Sequence, residues 1–164
     1  MNWLTAVNSR LSRWAMYIAC ACLLGLLAVV VYGVVLRYAF NNAPPYVEQL
    51  ALLLVISVAM FGAAAGVRDA GHIGLDSLVA ILSLRIQFWC GLAVCGLGLV
   101  FGVALLAGSA LMAMSTYAST IPTLGVSEAF RYLPVWLGGI LIAVFSIEHL
   151  IARFQGTEVT RSWH

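Results

Sequence analysis

The stretch that decides the fold is Trp14–Leu36, which reads WAMYIACACLLGLLAVVVYGVVL and lies between Arg13 and Arg37. Its 23 residues carry no charge. An α-helix rises about 1.5 Å per residue, so a helix of this length covers about 34 Å, slightly more than the ~30 Å hydrocarbon core of a bilayer. The stretch therefore predicts a helix that spans a membrane.

Charged residues delimit three further apolar stretches in the same way. They predict spans at about 49–67, 86–114 and 133–150, with lengths compatible with a crossing. Pro134 falls in the first turn of the fourth predicted helix, where its missing N–H leaves no helical hydrogen bond unmade. Residues 115–132 contain three Ser and three Thr, together with Pro122 and Gly125, which indicates an irregular loop before the fourth span.

The composition also indicates a membrane protein. Hydrophobic residues make up 63% of the 164 residues and charged residues 9%, whereas a soluble domain is about half apolar and about a quarter charged. This balance argues against a disordered chain, a nucleic-acid-binding protein and a secreted disulfide scaffold. The four cysteines lie in apolar runs without a CxxC motif, as small buried hydrophobes do. We predict an all-α membrane protein with four transmembrane helices, one membrane domain over residues 1–164 and a tail at 156–164.

The distribution of arginine predicts the orientation in the membrane. Six of the eight basic residues, all of them Arg, lie near the two termini or at the ends of the second loop, and two lie by the first and third loops. Basic residues accumulate on the cytoplasmic side of membrane proteins. Both termini are therefore predicted to be cytoplasmic. The first group comprises Arg10, Arg13, Arg68, Arg85, Arg153 and Arg161, and the second Arg37 and Arg131.

The second loop carries an amphipathic pattern over residues 73–84. Its apolar residues recur at i, i+3, i+4 and i+7, the spacing of one helix face. His72 and Asp76 fall on a polar stripe with Asp69 and Ser83. The pattern predicts a short helix in the cytoplasmic membrane interface; the alternative is that this segment extends the second or third span. The apolar positions are Leu75, Leu78, Val79 and Leu82.

The predicted spans hold no ionisable residue and no proline in their interiors. Transport pathways normally use ionisable groups within the membrane, and transporter sites often lie at broken helices. The chain is therefore not expected to conduct a substrate alone. The sequence also shows no nucleophile–base pair, phosphate loop or metal-ligand cluster, so we predict neither an enzyme nor a cofactor. Glycines at Gly62/Gly66 and Gly98/Gly102 mark expected helix–helix contacts.

Several segments at the span borders follow a distinctive order and spacing. The set resembles the small membrane subunit of TRAP transporters, the tripartite ATP-independent periplasmic transporters of bacteria and archaea. Tyr46 and Gln49 depart from the Trp and the second Glu that are usual in that family. The segments are Arg37-Tyr38-Ala39-Phe40-Asn41, Tyr46-Val47-Glu48-Gln49-Leu50-Ala51, Phe61-Gly62-Ala63, Val67 to Asp76, Leu124-Gly125-Val126 and Tyr132-Leu133-Pro134.

The resemblance implies a place in a three-part transporter. A large, many-helix subunit carries the substrate and the coupling ions by an elevator-type motion, and a periplasmic substrate-binding protein delivers the substrate. Uptake is a symport driven by an ion gradient, commonly sodium, and the substrates are mainly organic acids. On this resemblance the chain is a non-catalytic scaffold that braces the large subunit in the lipid bilayer of the bacterial inner membrane.

Three candidate site residues lie at the first, periplasmic loop. Arg37 and Glu48 flank this loop, so they either pair with each other or contact the large subunit or the binding protein. Tyr38 is either a partner contact or an ordinary aromatic residue of the membrane interface.

The other candidates lie at the second loop and the fourth span. Arg68, His72 and Asp76 are expected to fix the interfacial helix against the bundle or the partner, and Pro134 is a structural candidate. His72 and His149 also leave open a different function, a haem-binding membrane anchor of a redox complex in which both histidines ligate the iron. A small exporter that works as an oligomer is a third reading.

Overall fold

The computed structural model describes residues 2–42, 44–69, 83–121 and 125–155. This part of the chain contains four long helices, each long and apolar enough to cross a membrane. The prediction of an all-α protein with four membrane-spanning helices is therefore confirmed. The helices are α1 (Asn2–Ala39), α2 (Pro45–Asp69), α3 (Leu84–Thr116) and α4 (Leu133–Phe154).

Several predictions concern features that the structure does not test. Most of the interfacial helix expected at 73–84 lies outside the described residues, as do His72, Asp76 and the tail at 156–164. Where the described chain resumes, α3 begins at Leu84. The cytoplasmic position of the termini and the single membrane domain also stay predictions.

Helix α1 is longer than its apolar stretch. It contains 38 residues and begins at Asn2, so it measures about 57 Å, nearly twice the ~30 Å hydrocarbon core. Arg10 and Arg13 end the apolar stretch without ending the helix, because arginine is a good helix former. The first three turns of α1 therefore lie beyond the predicted span.

The connection between α3 and α4 is more regular than predicted. Thr120–Ile121 pairs antiparallel with Val126–Ser127, and a 3₁₀ helix over Glu128–Tyr132 leads directly into α4. The hydroxyl of Ser127 donates to the carbonyl of Tyr117 at 2.9 Å. The expectation of an irregular loop is therefore wrong in part, because Ser and Thr in this segment make specific turn contacts that composition alone does not reveal.

Helix α4 lies at the centre of the bundle. It packs against α2 and α3, whereas α1 packs mainly against α2 and makes a smaller contact with α4. The order across the bundle is thus α1, α2, α4, α3, and the two outer helices expose long apolar faces. Buried side chains of Ala15, Ala19, Phe61 and Ala65 join α1 to α2, and those of Ala64, Ile142 and Phe145 join α2 to α4.

Glycine permits the closest helix contact, between α3 and α4. A Cβ added at Gly102 would lie 2.7 Å from the backbone nitrogen of Ala143, and one added at Gly98 would lie 2.8 Å from Oγ of Ser146. These two predicted contacts are confirmed. At Gly62 and Gly66, in contrast, an added Cβ would meet no atom of the described residues within 4 Å, so that face of α2 makes no close contact with them.

Candidate functional site

The bundle end at which α1 begins and α4 ends, which we call the terminal end, holds a buried polar cluster. The Arg68 cluster comprises Arg68 and Asp69 at the end of α2, Glu148 on α4, and Asn8 and Ser12 on α1. The side chain of Arg68 is 0% exposed, that of Glu148 4% and that of Asp69 10%. Charged side chains are almost never buried this far unless they are paired.

The Arg68 guanidinium bonds three groups at once. Nε and Nη2 donate to the two carboxylate oxygens of Glu148 at 3.2 and 3.4 Å, which makes the pair bidentate. Nη1 donates to Asp69 at 3.1 Å, and Nη2 also donates to the backbone carbonyl of Thr5 at 3.2 Å. Charge-assisted, forked hydrogen bonds of this kind fix orientation as well as adding energy.

The first turns of α1 complete the cluster. Asn8 Nδ2 donates to Glu148 at 2.9 Å, and the hydroxyl of Ser12 donates to Asp69. With the Thr5 carbonyl, these contacts come from positions i, i+3 and i+7, which share one face of a helix. The cluster therefore attaches the part of α1 beyond its predicted span to the ends of α2 and α4.

Burial makes the Arg68 cluster sensitive to loss of any charged member. Breaking a buried ion pair from one side typically costs about 3–5 kcal/mol. Loss of Arg68 would leave two carboxylates facing each other without a cation, whereas loss of one carboxylate leaves Arg68 paired with the other. Arg68 and Glu148 each lie at the edge of an uncharged run of the sequence, which gives no sign that the two side chains face each other. Nor did it reveal the contributions of Asn8 and Ser12.

His149 lies beside the Arg68 cluster. Its Nε2 is 3.1 Å from the backbone carbonyl oxygen of Arg68, and because a carbonyl only accepts, Nε2 is the donor. The haem-anchor reading would use His149 as an iron ligand, whereas here one ring nitrogen serves a helix–helix contact. The other histidine of that reading, His72, lies outside the described residues.

The opposite end of the bundle brings together three candidates at the junction of α1 and α2. Arg37 Nη2 is 3.5 Å from Glu48 Oε1, with side chains 59% and 73% exposed. Tyr38 is 83% exposed, and all three residues line a shallow groove of about 280 Å³. The local pair, one of the two alternatives that the sequence left open, forms in the structure, and its exposure leaves both charged groups accessible to a partner.

A second contact at this end was not predictable from the sequence. Arg131 Nη2 donates to Gln49 Oε1 at 2.6 Å, and its Nη1 donates to Glu128 at 3.3 Å. Gln49 stands where the TRAP small subunits that the sequence resembles usually have an acid, and its amide oxygen still accepts from a guanidinium. This contact joins the start of α2 to the 3₁₀ helix before α4, where Pro134 is buried in the first turn, as predicted.

The polar groups of the described residues thus bond helices to one another. In residues 2–42, 44–69, 83–121 and 125–155, every buried nitrogen or oxygen of a described side chain has a hydrogen-bond partner. Within the same residues no three His, Cys, Asp or Glu side chains group as a metal site would require. The arrangement is one that fixes helix positions at both ends of the bundle.

Comparisons with known proteins identify relatives that cover most of the chain. One protein of Haemophilus influenzae is 24% identical over 135 residues, which are 80% of this chain and 81% of the relative. Another from the same organism is 26% identical over 139 residues, which are 84% of this chain and 86% of the relative. Both carry the provisional name TRAP transporter small permease protein.

A family match covers well over half of the chain. Residues 26–156 match the family described as tripartite ATP-independent periplasmic transporters, DctQ component. Members of this family are transporter subunits rather than enzymes, in agreement with the prediction. The chain belongs to the DctQ family, as a multi-pass membrane subunit of a TRAP transporter.

Proposed function

We propose that the chain is a scaffold that braces the large membrane subunit of a TRAP transporter in the bacterial inner membrane. Family membership supports association with a large subunit and with a periplasmic binding protein. The observation that carries the scaffold role is the Arg68 cluster, in which buried charged groups bond three helices of one chain.

The bonding pattern of the cluster favours a brace over a transport pathway. Charged groups within transporters commonly serve substrate, ions or protons. Here the guanidinium of Arg68 is directed at Glu148, Asp69 and the Thr5 carbonyl, all within the same chain. Such bonds hold helices in a fixed relation, which supports a static role beside a moving partner.

The outer helices offer surfaces for that partner. The outward faces of α1 and α3 are apolar, as the exposed side chains of Leu24 and Leu97 illustrate. Lipid and an apolar partner helix are both suitable neighbours for such faces. One edge of the bundle is thus available to the large subunit while other faces contact lipid.

The exposed junction between the end of α1 and the start of α2 provides a second proposed contact with a partner. Arg37, Tyr38 and Glu48 are expected on the periplasmic side, where they contact the large subunit or the binding protein. An exposed ion pair contributes only about 0–1 kcal/mol to stability, so local stabilisation is a weak reason for placing two charges there. Their accessibility supports a role in recognition.

The transport cycle itself is proposed on the resemblance to the family. The large subunit carries an organic acid by an elevator-type motion, and the binding protein delivers it. A sodium gradient drives this symport. The present chain supplies no substrate ligand in the proposal.

Reconstitution into liposomes tests the proposal. We expect binding-protein-dependent uptake of an organic acid under an inward sodium gradient when both membrane subunits are present. Liposomes with this chain alone should show none, and those with the large subunit alone should show strongly reduced uptake. Flux through this chain alone would support the exporter reading, and undiminished uptake without it would contradict the scaffold role.

An absorption spectrum of the purified chain distinguishes the scaffold from the haem-binding membrane anchor. The scaffold proposal expects a colourless preparation that co-purifies with a large multi-span protein in mild detergent. A stoichiometric haem band, lost in His149→Ala, would favour the membrane anchor of a redox complex instead.

A further inference from the structure

A groove of about 290 Å³ runs along α4 between α2 and α3. Val67 of α2 forms one wall, Val94 and Phe101 of α3 form the other, and Ser146 and His149 lie on its floor. Ser146 and His149 are its polar side chains, and most of its lining is hydrocarbon. A groove of this kind suits an aliphatic chain.

The groove leads toward the terminal end of the bundle. Helices α3 and α4 are antiparallel, with Gly98 opposite Ser146 and Gly91 opposite Arg153. From Phe101 to Gly91 the helix axis covers about 15 Å toward that end. The groove lining ends at Val94 and His149, and Arg153 lies one helical turn beyond His149 on the same side of α4.

Arg153 places a cation beyond the lining residues of the groove, one helical turn past His149 on the side of the terminal end. Its guanidinium lies directly over Gly91, in the space that a Cβ there would occupy, and Nη1 donates to the carbonyl of Gln87 at 3.1 Å. A guanidinium has five N–H donors. Within residues 2–42, 44–69, 83–121 and 125–155, no carboxylate lies within 4 Å of it.

We propose that the groove holds one acyl chain of an anionic phospholipid and that Arg153 binds the lipid phosphate. The apolar walls match the acyl chain, and the guanidinium matches the negative charge through charge-assisted hydrogen bonds. An apolar partner helix would contact only the walls of the groove, and a free phosphate would contact only Arg153. A phospholipid contacts both. The proposal is independent of the scaffold role, since it concerns a ligand of this chain.

Native mass spectrometry of the chain in complex with its large subunit tests this site. The delipidated complex is supplied with phosphatidylglycerol or with phosphatidylcholine of the same acyl chains. We expect preferential retention of phosphatidylglycerol and about a tenfold loss of it in Arg153→Gln, the size expected for one charge-assisted hydrogen bond. Arg85→Gln is the matched control, because Arg85 is exposed and lies about 120° around α3 from Gly91, the position that faces Arg153.

Two further variants separate the cation from the groove. Val94→Phe fills the groove without changing charge and should lower retention of both lipids. Gly91→Ala displaces the guanidinium while keeping every charge, and it should lower the retention of phosphatidylglycerol selectively. Arg153→Gln also changes the net charge of the chain, so it does not by itself separate a local contact from a general charge effect. Variants are compared only after their thermal unfolding midpoints agree with the wild type.

Three results would overturn the proposal. One is equal retention of the two lipids by the wild type. Another is equal behaviour of Arg153→Gln and Arg85→Gln. The third is selective retention that persists in Val94→Phe, because the groove then holds no acyl chain.

Discussion

Two Arg–Glu pairs at opposite ends of the bundle share their chemistry and differ in their surroundings. Arg68 and Glu148 approach to 3.2 Å with side chains 0% and 4% exposed, whereas Arg37 and Glu48 approach to 3.5 Å with side chains 59% and 73% exposed. Water compensates the charges of the exposed pair, but the buried charges depend on each other. The first pair can therefore fix helices, while the second remains available to a partner.

The largest expected effect is that of Glu148→Gln. The amide removes one of the two carboxylates that face the buried guanidinium of Arg68. Breaking a buried pair from one side costs about 3–5 kcal/mol, and we expect the lower end of that range because Asp69 still faces the guanidinium. The thermal unfolding midpoint of the detergent-solubilised complex should fall by roughly 10 °C. Glu48→Gln makes the same chemical change in the exposed pair and should leave the midpoint nearly unchanged. Equal shifts of the unfolding midpoint in the two variants would show that burial does not distinguish the two pairs.

Two glycines, Gly102 in a close helix contact and Gly62 on a face that the described residues leave uncovered, extend the comparison from charge to packing. In Gly102→Ala the new Cβ meets the backbone of Ala143, so the α3–α4 contact must widen at a cost of about 1–3 kcal/mol. Gly62→Ala adds the same methyl group where no atom of the described residues lies within 4 Å. Chemical unfolding of the isolated chain should show a loss for the first variant only. If Gly62→Ala instead blocks co-purification of the large subunit, that face is a partner contact.

Gln49→Ala tests a contact of intermediate burial. It removes the acceptor for the half-buried guanidinium of Arg131, and one such hydrogen bond is worth about 1 kcal/mol. Gln49→Glu keeps an acceptor oxygen and should be at least as stable as the wild type. Thermal unfolding of both variants measures the difference, and equal losses would show that the amide nitrogen matters instead.

The smallest effect on stability is expected for Arg37→Glu. An exposed pair contributes about 0–1 kcal/mol, so the unfolding midpoint should change by a few degrees at most. Uptake by the reconstituted transporter should fall further, because the side chain is proposed to contact a partner. The charge-swapped double variant Arg37→Glu with Glu48→Arg decides the matter: restored uptake would indicate that a local pair is sufficient.

The spans and the family were predictable because they depend on local features. Uncharged runs such as Trp14–Leu36 give the spans directly, and the position of Pro134 follows from its missing N–H. The Arg68 cluster was not predictable, since Arg68 and Glu148 are 80 positions apart and apolar helix faces do not reveal which neighbour they contact. The extension of α1 to Asn2 was missed because charge ends an apolar stretch without ending a helix.

The contact between Asn8 and Glu148 joins positions 140 residues apart. During synthesis α1 leaves the ribosome long before α4 exists, so its first turns wait for their acceptor until the last helix has entered the membrane. A chain that stops before α4 leaves the amide of Asn8 and the guanidinium of Arg68 without the carboxylate they share. These bonds can therefore form only after the fourth helix has been synthesised and inserted.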